Sequence, residues 1–102
     1  MKNIHINRKM EKETKAIHTP FQKRDAYGAL SFPVYNTVAY EFDSAQVMTE
    51  AFAGRVPEPD YSRVMNPTVT YFENRVKALS DADNVFALTT GMAAIFHTLL
   101  VF

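Results

Sequence analysis

Two short runs in this 102-residue chain combine residue types that suit an anion. The first is Tyr61-Ser62-Arg63. A guanidinium grips a phosphate through paired N–H donors, and the tyrosine hydroxyl adds a neutral donor beside it. The second is Thr89-Thr90-Gly91-Met92, where one apolar run turns over a glycine into another. A helix that opens at such a turn offers unpaired backbone N–H groups and the positive end of its dipole. Gly91 has no Cβ to hold a ligand away from the backbone. Each run also has a plainer reading. Arg63 can be a solvated surface residue beside a packed tyrosine, and Gly91 can be only the glycine that a turn needs.

Several elements must position these runs. Ser44 is a good helix N-cap, and Val47, Met48, Ala51 and Phe52 follow on one face until Gly54, which suits a left-handed cap. Arg55–Asp60 is a loop stiffened by two prolines. Asn66 is a strong N-cap, and Pro67 falls at the first helical position, where its missing N–H costs nothing. Val69, Phe72, Val76 and Leu79 recur at helical spacing and predict an amphipathic helix over 67–82. Thr70, Glu73, Asn74 and Lys77 form its outer face, with Glu73 and Lys77 as an i,i+4 ion pair. Asn84–Leu88 reads as a short buried strand, and Met92–Phe102 as a helix apolar on nearly every side. Helix, buried strand, tight turn and buried helix in that order predict an α/β fold with a parallel sheet. One strand is not a sheet, so the remaining strands are expected from outside this sequence.

Upstream, Asp25–Phe42 reads as extended chain, with Val38, Tyr40 and Phe42 in a two-residue period and Pro33 excluding a helix. Residues 1–24 read as an arm, with a helical turn around Arg8–Ile17. The arm is basic: seven Lys or Arg against two acids give a net +5, balanced by −5 over the rest of a neutral chain. Acids mixed into the arm and the lack of a base-stacking motif argue against nucleic acid and for a solvated or partner-docked arm. No secretory or transit segment is expected. Val85–Phe102 is 18 residues long without a charged side chain. Its Thr89-Thr90-Gly91 break, its internal His97 and its lack of a basic anchor favour a buried strand and helix over a membrane span. Hydrophobic residues make up 47%, which is enough for the core of one small domain, and the absence of cysteine excludes disulfides and thiolate metal sites.

Taken together and in order, the motifs carry a resemblance. Tyr61-Ser-Arg-Val-Met-Asn-Pro-Thr68, then Phe72-Glu73, then Thr90-Gly-Met-Ala-Ala94, resemble the N-terminal region of the Cys/Met-metabolism enzymes that depend on pyridoxal 5'-phosphate (PLP). Thr14-x-x-Ile17-His18 and Pro33-Val34-Tyr35-x-Thr37 are similar as well, so the likeness spans about residues 14–100. The family includes cystathionine synthases and lyases, methionine γ-lyase and the homoserine-ester sulfhydrylases. The resemblance implies a cytoplasmic homo-oligomer of sulfur amino-acid metabolism, including methionine biosynthesis, with a small amino-acid substrate and neither nucleic acid nor membrane as partner. It implies residues 1–60 as an arm and dimer-contact region, and 61–102 as the start of the α/β PLP-binding domain of fold type I. Tyr61, Ser62 and Arg63 then bind the PLP phosphate of the neighbouring subunit, while the backbone of Gly91 and Met92 binds the phosphate of its own.

One local departure is Pro20, where the family commonly has a glycine soon after its Ile-His; it bears only on the path of the arm. The larger departure is length. Family members run to several hundred residues, and their later parts supply the lysine that holds the cofactor covalently, the aspartate on the pyridine nitrogen and the carboxylate-binding arginine. None of Lys2, Lys9, Lys12, Lys15, Lys23 and Lys77 lies in the context of that lysine. The expectation is therefore an N-terminal portion that is inactive alone and holds no catalytic residue. Met65 before Asn66-Pro67-Thr68 leans toward sulfhydrylase-like γ-replacement, with γ-elimination as the alternative. A non-catalytic module that docks on a full-length partner, and a small membrane-associated protein, are readings from other classes.

Overall fold

The computed structural model describes residues 11–19 and 25–102. These hold four helices: α1 (Lys12–His18), α2 (Ala45–Phe52), α3 (Pro67–Ser80) and α4 (Gly91–Val101). The chain falls into two compact units. One runs to Tyr71 and holds α2; the other, Phe72–Phe102, also takes in α1, and α3 begins in the first and ends in the second.

In the first unit, local polar chemistry shapes the chain before α2. The Asp25 carboxylate accepts the N–H groups of Tyr27 (2.9 Å) and Ala29 (3.1 Å), and the Gly28 N–H closes a turn onto the Asp25 carbonyl at 3.0 Å. Gly28 sits at φ 71°, where a side chain is disfavoured. Phe32 then stacks on Tyr71, with ring centroids 4.5 Å apart. Ser44 caps α2 by accepting the Val47 N–H at 3.2 Å. The far end closes as a Schellman motif: Gly54 at φ 70° donates to the Ala51 carbonyl, and Arg55 donates to that of Glu50. The Arg55 side chain returns to Glu50 as a two-pronged pair at 2.6 and 3.0 Å, which raises the arginine pKa.

The second unit departs from the expected sheet. Residues 84–88 join no ladder, and the pairing among the described residues amounts to one isolated antiparallel bridge, Ala39 to Tyr61, in the other unit. The regular elements among the described residues are therefore helices, and the α/β class expected for the chain is not built by them. The reason is physical: a strand satisfies its backbone only against neighbouring strands, and these residues supply none to segment 84–88. Phe86, expected to be buried, is 83% exposed. Two further expectations change. The helix expected to reach residue 82 stops at Ser80, because Asp81 turns into the left-handed region at φ 53°. Glu73, expected to pair with Lys77, instead accepts the Ala87 N–H at 2.8 Å, which ties α3 to the segment that leads to α4.

Helix α1 covers the described part of the helical turn expected at 8–17; the rest of that turn and most of the expected arm lie outside the described residues. Ala51 is the one buried apolar residue among those described. No helix among them is long and apolar enough to cross a membrane.

Candidate functional site

The Tyr61–Arg63 run sits on a tight loop. The Tyr61 carbonyl accepts the N–H groups of both Val64 and Met65 at 2.9 Å, folding the chain back on itself. Tyr61 forms the bridge to Ala39, and the Ser62 N–H donates to the Val38 carbonyl at 2.9 Å, so the loop is pinned to the 37–40 segment. Arg63 is exposed and has no ion-pair or hydrogen-bond partner among the described residues. The Tyr61 ring is also partly exposed, and its hydroxyl has no hydrogen-bond partner among them. Both side chains therefore have donors that no described residue occupies.

Ser62 differs. Its hydroxyl donates to the Thr37 carbonyl and also contacts the Tyr40 hydroxyl (2.8 Å) and the Asn66 amide Nδ2 (3.1 Å). A serine hydroxyl has one proton and two acceptor sites. With the proton on Thr37, the Tyr40 hydroxyl must be the donor to Ser62, and the Asn66 amide fills the second acceptor site. Ser62 is saturated within the loop.

Asn66 was expected only to cap a helix, and it does so: its Oδ1 accepts the Thr68 N–H at 2.8 Å. Its Nδ2 faces the other way, donating to the Tyr35 carbonyl at 2.9 Å and to Ser62. Thr68 completes the knot, because its Oγ1 accepts the Tyr35 N–H at 2.8 Å and donates to the Pro33 carbonyl at 3.2 Å. Sequence reasoning placed Tyr35, Thr37 and Thr68 in family motifs and Tyr40 in an extended run, but did not foresee these hydrogen bonds. The available signal was the clustering of hydroxyl and amide residues in both segments, but not which of them meet.

The second candidate run lies at the start of α4, in the other unit. Thr90 is extended (φ −138°) and caps the helix by accepting the Ala93 N–H at 3.0 Å. Ala94 makes the first backbone bond of the helix, to the Thr90 carbonyl. The N–H groups of Gly91 and Met92 have no partner among the described residues. A Cβ at Gly91 would meet nothing within 4 Å in this chain, and the first turn of α4 carries no acidic residue. Two free N–H groups at an unblocked positive helix end suit an anion.

A hollow of about 330 Å³ lined by Tyr40, Glu41, Phe42, Asp43, Val47, Glu58 and Pro59 includes none of these candidates, and its three carboxylates would repel a phosphate. No group of three or more His, Cys, Asp or Glu among the described residues is arranged to hold a metal ion.

Comparison with known proteins identifies the family. The family model for Cys/Met metabolism PLP-dependent enzymes matches residues 13–102. The chain belongs to this family. It is 38% identical over 86 residues to an L-methionine gamma-lyase of Pseudomonas putida, covering 84% of the chain and 22% of the relative. To an O-acetyl-L-homoserine sulfhydrylase of Corynebacterium glutamicum it is 35% identical over 88 residues, 86% of the chain and 20% of the relative. A crystal structure described as an O-acetylhomoserine (thiol)-lyase from Campylobacter jejuni superposes with a TM-score of 0.79 at 28% identity, covering 89% of the chain and 22% of that structure. That crystal structure contains N'-pyridoxyl-lysine-5'-monophosphate, in keeping with a PLP-dependent family. The chain thus spans about a fifth of the length of the relatives it matches.

Proposed function

We propose that this chain is the N-terminal portion of a PLP-dependent enzyme of sulfur amino-acid metabolism and supplies two grips on cofactor phosphate. Residues 1–60 act as arm and dimer-contact region, and 61–102 open the α/β PLP-binding domain of fold type I, whose sheet the segment 84–88 joins. The observation that carries the proposal is Arg63: an exposed guanidinium with no partner among the described residues, on a loop pinned by backbone and side-chain bonds. Arg63 and Tyr61 reach the PLP phosphate of a neighbouring subunit in a homo-oligomer, and Ser62 holds their loop. The Gly91 and Met92 N–H groups take the phosphate of their own subunit.

The residues present fit the phosphate end of PLP and no other part of it. Among the described lysines, Lys12 and Lys15 lie in α1 and Lys77 in α3. When bound, PLP supplies the electron sink for bond breaking at the γ-carbon of the amino-acid substrate. The contribution of this chain is to hold and orient that cofactor. The reaction is sulfhydrylase-like γ-replacement on a homoserine ester in the cytoplasm. The similarity to L-methionine gamma-lyase favours a second reading, γ-elimination.

The trans assignment is tested by grafting residues 13–102 in place of the matched stretch of the P. putida relative. One graft carries Arg63→Ala, and the other lacks the catalytic lysine of the relative. Each homo-oligomer is expected to be nearly inactive. Mixed dimers are expected to regain activity, because one of their two sites joins an intact Arg63 to an intact lysine. Mixed dimers that form and stay inactive refute it. Assaying the unmutated graft with an O-acylhomoserine plus thiol, and separately with methionine, distinguishes replacement from elimination.

A further inference from the structure

Asn66 has two functions, and helix capping accounts for only one. Its Oδ1 serves α3, whereas its Nδ2 leaves the helix and ties Tyr35, 31 residues earlier in the chain, to Ser62. The bond to Ser62 fills the second acceptor site of a hydroxyl whose other two bonds reach Thr37 and Tyr40. One amide thereby links the start of α3, the 35–40 segment and the residue between the two candidate phosphate ligands. Two-residue neighbours on a tight loop have little freedom once the residue between them is fixed by both its amide and its hydroxyl.

We propose that Asn66 is a positioning residue for phosphate recognition: through its Nδ2 donors it fixes Ser62, and so sets the orientation in which Tyr61 and Arg63 are presented. This rests on the phosphate reading of Tyr61 and Arg63 given above. It predicts that side chains able to cap α3 but unable to donate toward Tyr35 and Ser62 loosen the loop and leave the helix intact. Serine is such a side chain. It ranks with asparagine as an N-cap, is neutral, and is too short to reach the Tyr35 carbonyl from position 66. Aspartate also caps well and keeps the shape of asparagine, but turns an acceptor toward the Tyr35 carbonyl.

The experiment uses the graft of residues 13–102 into the P. putida relative, as parent, Asn66→Ser, Asn66→Asp and Arg63→Ala. Amide exchange followed by mass spectrometry reports the loop at Ser62 and α3 across 67–80, and inorganic phosphate binding to the apo graft is followed by calorimetry. In the parent, the Ser62 amide is expected to be protected. In Asn66→Ser and Asn66→Asp its exchange accelerates about tenfold or more, the α3 amides stay protected, and phosphate affinity falls about two- to tenfold, the equivalent of one lost hydrogen bond. An unprotected Ser62 amide in the parent, unchanged exchange in both variants, or loss of α3 helicity alongside the loop overturns the proposal. Arg63→Ala separates this from the phosphate reading. If that variant binds phosphate as the parent does, the reading of Arg63 fails, while Ser62 exchange still decides whether Asn66 holds the loop.

Discussion

Replacing Leu99 and Leu100 together by glutamine should help the isolated chain and harm the grafted enzyme, and the size of the effect follows from α4. Ile95, Phe96, Leu99 and Leu100 retain between 56% and 69% of their surface exposed. Full burial of such a side chain is worth about 1.5–3 kcal/mol. With more than half of it unrealised, the four withhold roughly 4–8 kcal/mol, comparable to the whole net stability of a small domain at about 5–15 kcal/mol. The isolated chain is therefore expected to self-associate or stay partly unfolded, since exposed apolar area favours association. Glutamine and leucine have similar helix propensity, so the double substitution removes apolar surface and leaves the helix intact. In sedimentation velocity, the parent should show concentration-dependent larger species and the double variant a shift toward monomer, with little change in helical signal. In the graft, where the remaining fold covers α4, the same change should lower soluble yield or thermal stability. A parent chain that sediments as a compact monomer, with slow amide exchange across residues 84–100, refutes the reasoning and identifies a self-sufficient domain.

Three further outcomes are expected. Added PLP should leave no stoichiometric, borohydride-fixable adduct on a single lysine of the isolated chain, as read by absorbance and mass spectrometry after excess cofactor is removed. In the graft, Arg63→Ala should weaken PLP retention by about 1.5–3 kcal/mol, or roughly 10- to 150-fold. In the apo graft its unfolding midpoint should barely move, because an exposed side chain without a partner among the described residues holds nothing in place; equal retention at equal stability would remove Arg63 from the site. The Asp25 carboxylate is held below its ordinary pKa chiefly by the Ala29 N–H, with Tyr27 and Tyr35 adding to the effect. Because a lowered folded pKa gives stability above the unfolded pKa that is lost as pH falls through the folded value, the 25–29 turn should loosen on acidification. Asn at position 25 should flatten the pH dependence of the Ala29 amide shift.

Legibility followed the range over which each feature is determined. Ser44 with Gly54, and Asn66 with Pro67, mark helix ends through atoms within a few residues, and these ends fell where local chemistry placed them. The exact stop of α3 was missed by two residues because a single left-handed Asp81 ended it, and aspartate takes that conformation only occasionally. Segment 84–88 has strand-like composition, but a ladder is a property of two segments, and no described segment pairs with it. The Ser62 knot was hidden for the same reason: the bonds of Ser62 to Tyr40 and Thr37 join residues 22 and 25 apart in the chain, and those of Asn66 and Thr68 to Tyr35 and Pro33 join residues 31–35 apart. Composition identifies such groups as donors and acceptors but does not pair them. Membership of the family was legible from the ordered motifs, and the profile match over residues 13–102 agrees with it.

The start of α4 illustrates a conflict between durability and use. Its first turn holds no acid, and Thr90 satisfies the Ala93 N–H while the next two N–H groups toward the N-terminus have no partner among the described residues. An aspartate or glutamate there would complement the helix dipole by roughly 0.3–1 kcal/mol. Selection of this chain for robustness alone should therefore drift toward an acid at position 92 or 93. The same carboxylate would repel any phosphate offered to that helix end. A library sorted first for thermal tolerance and then for phosphate retention should keep these positions free of acid only in the second sort, making that helix end a place where the two selective pressures can be measured against each other.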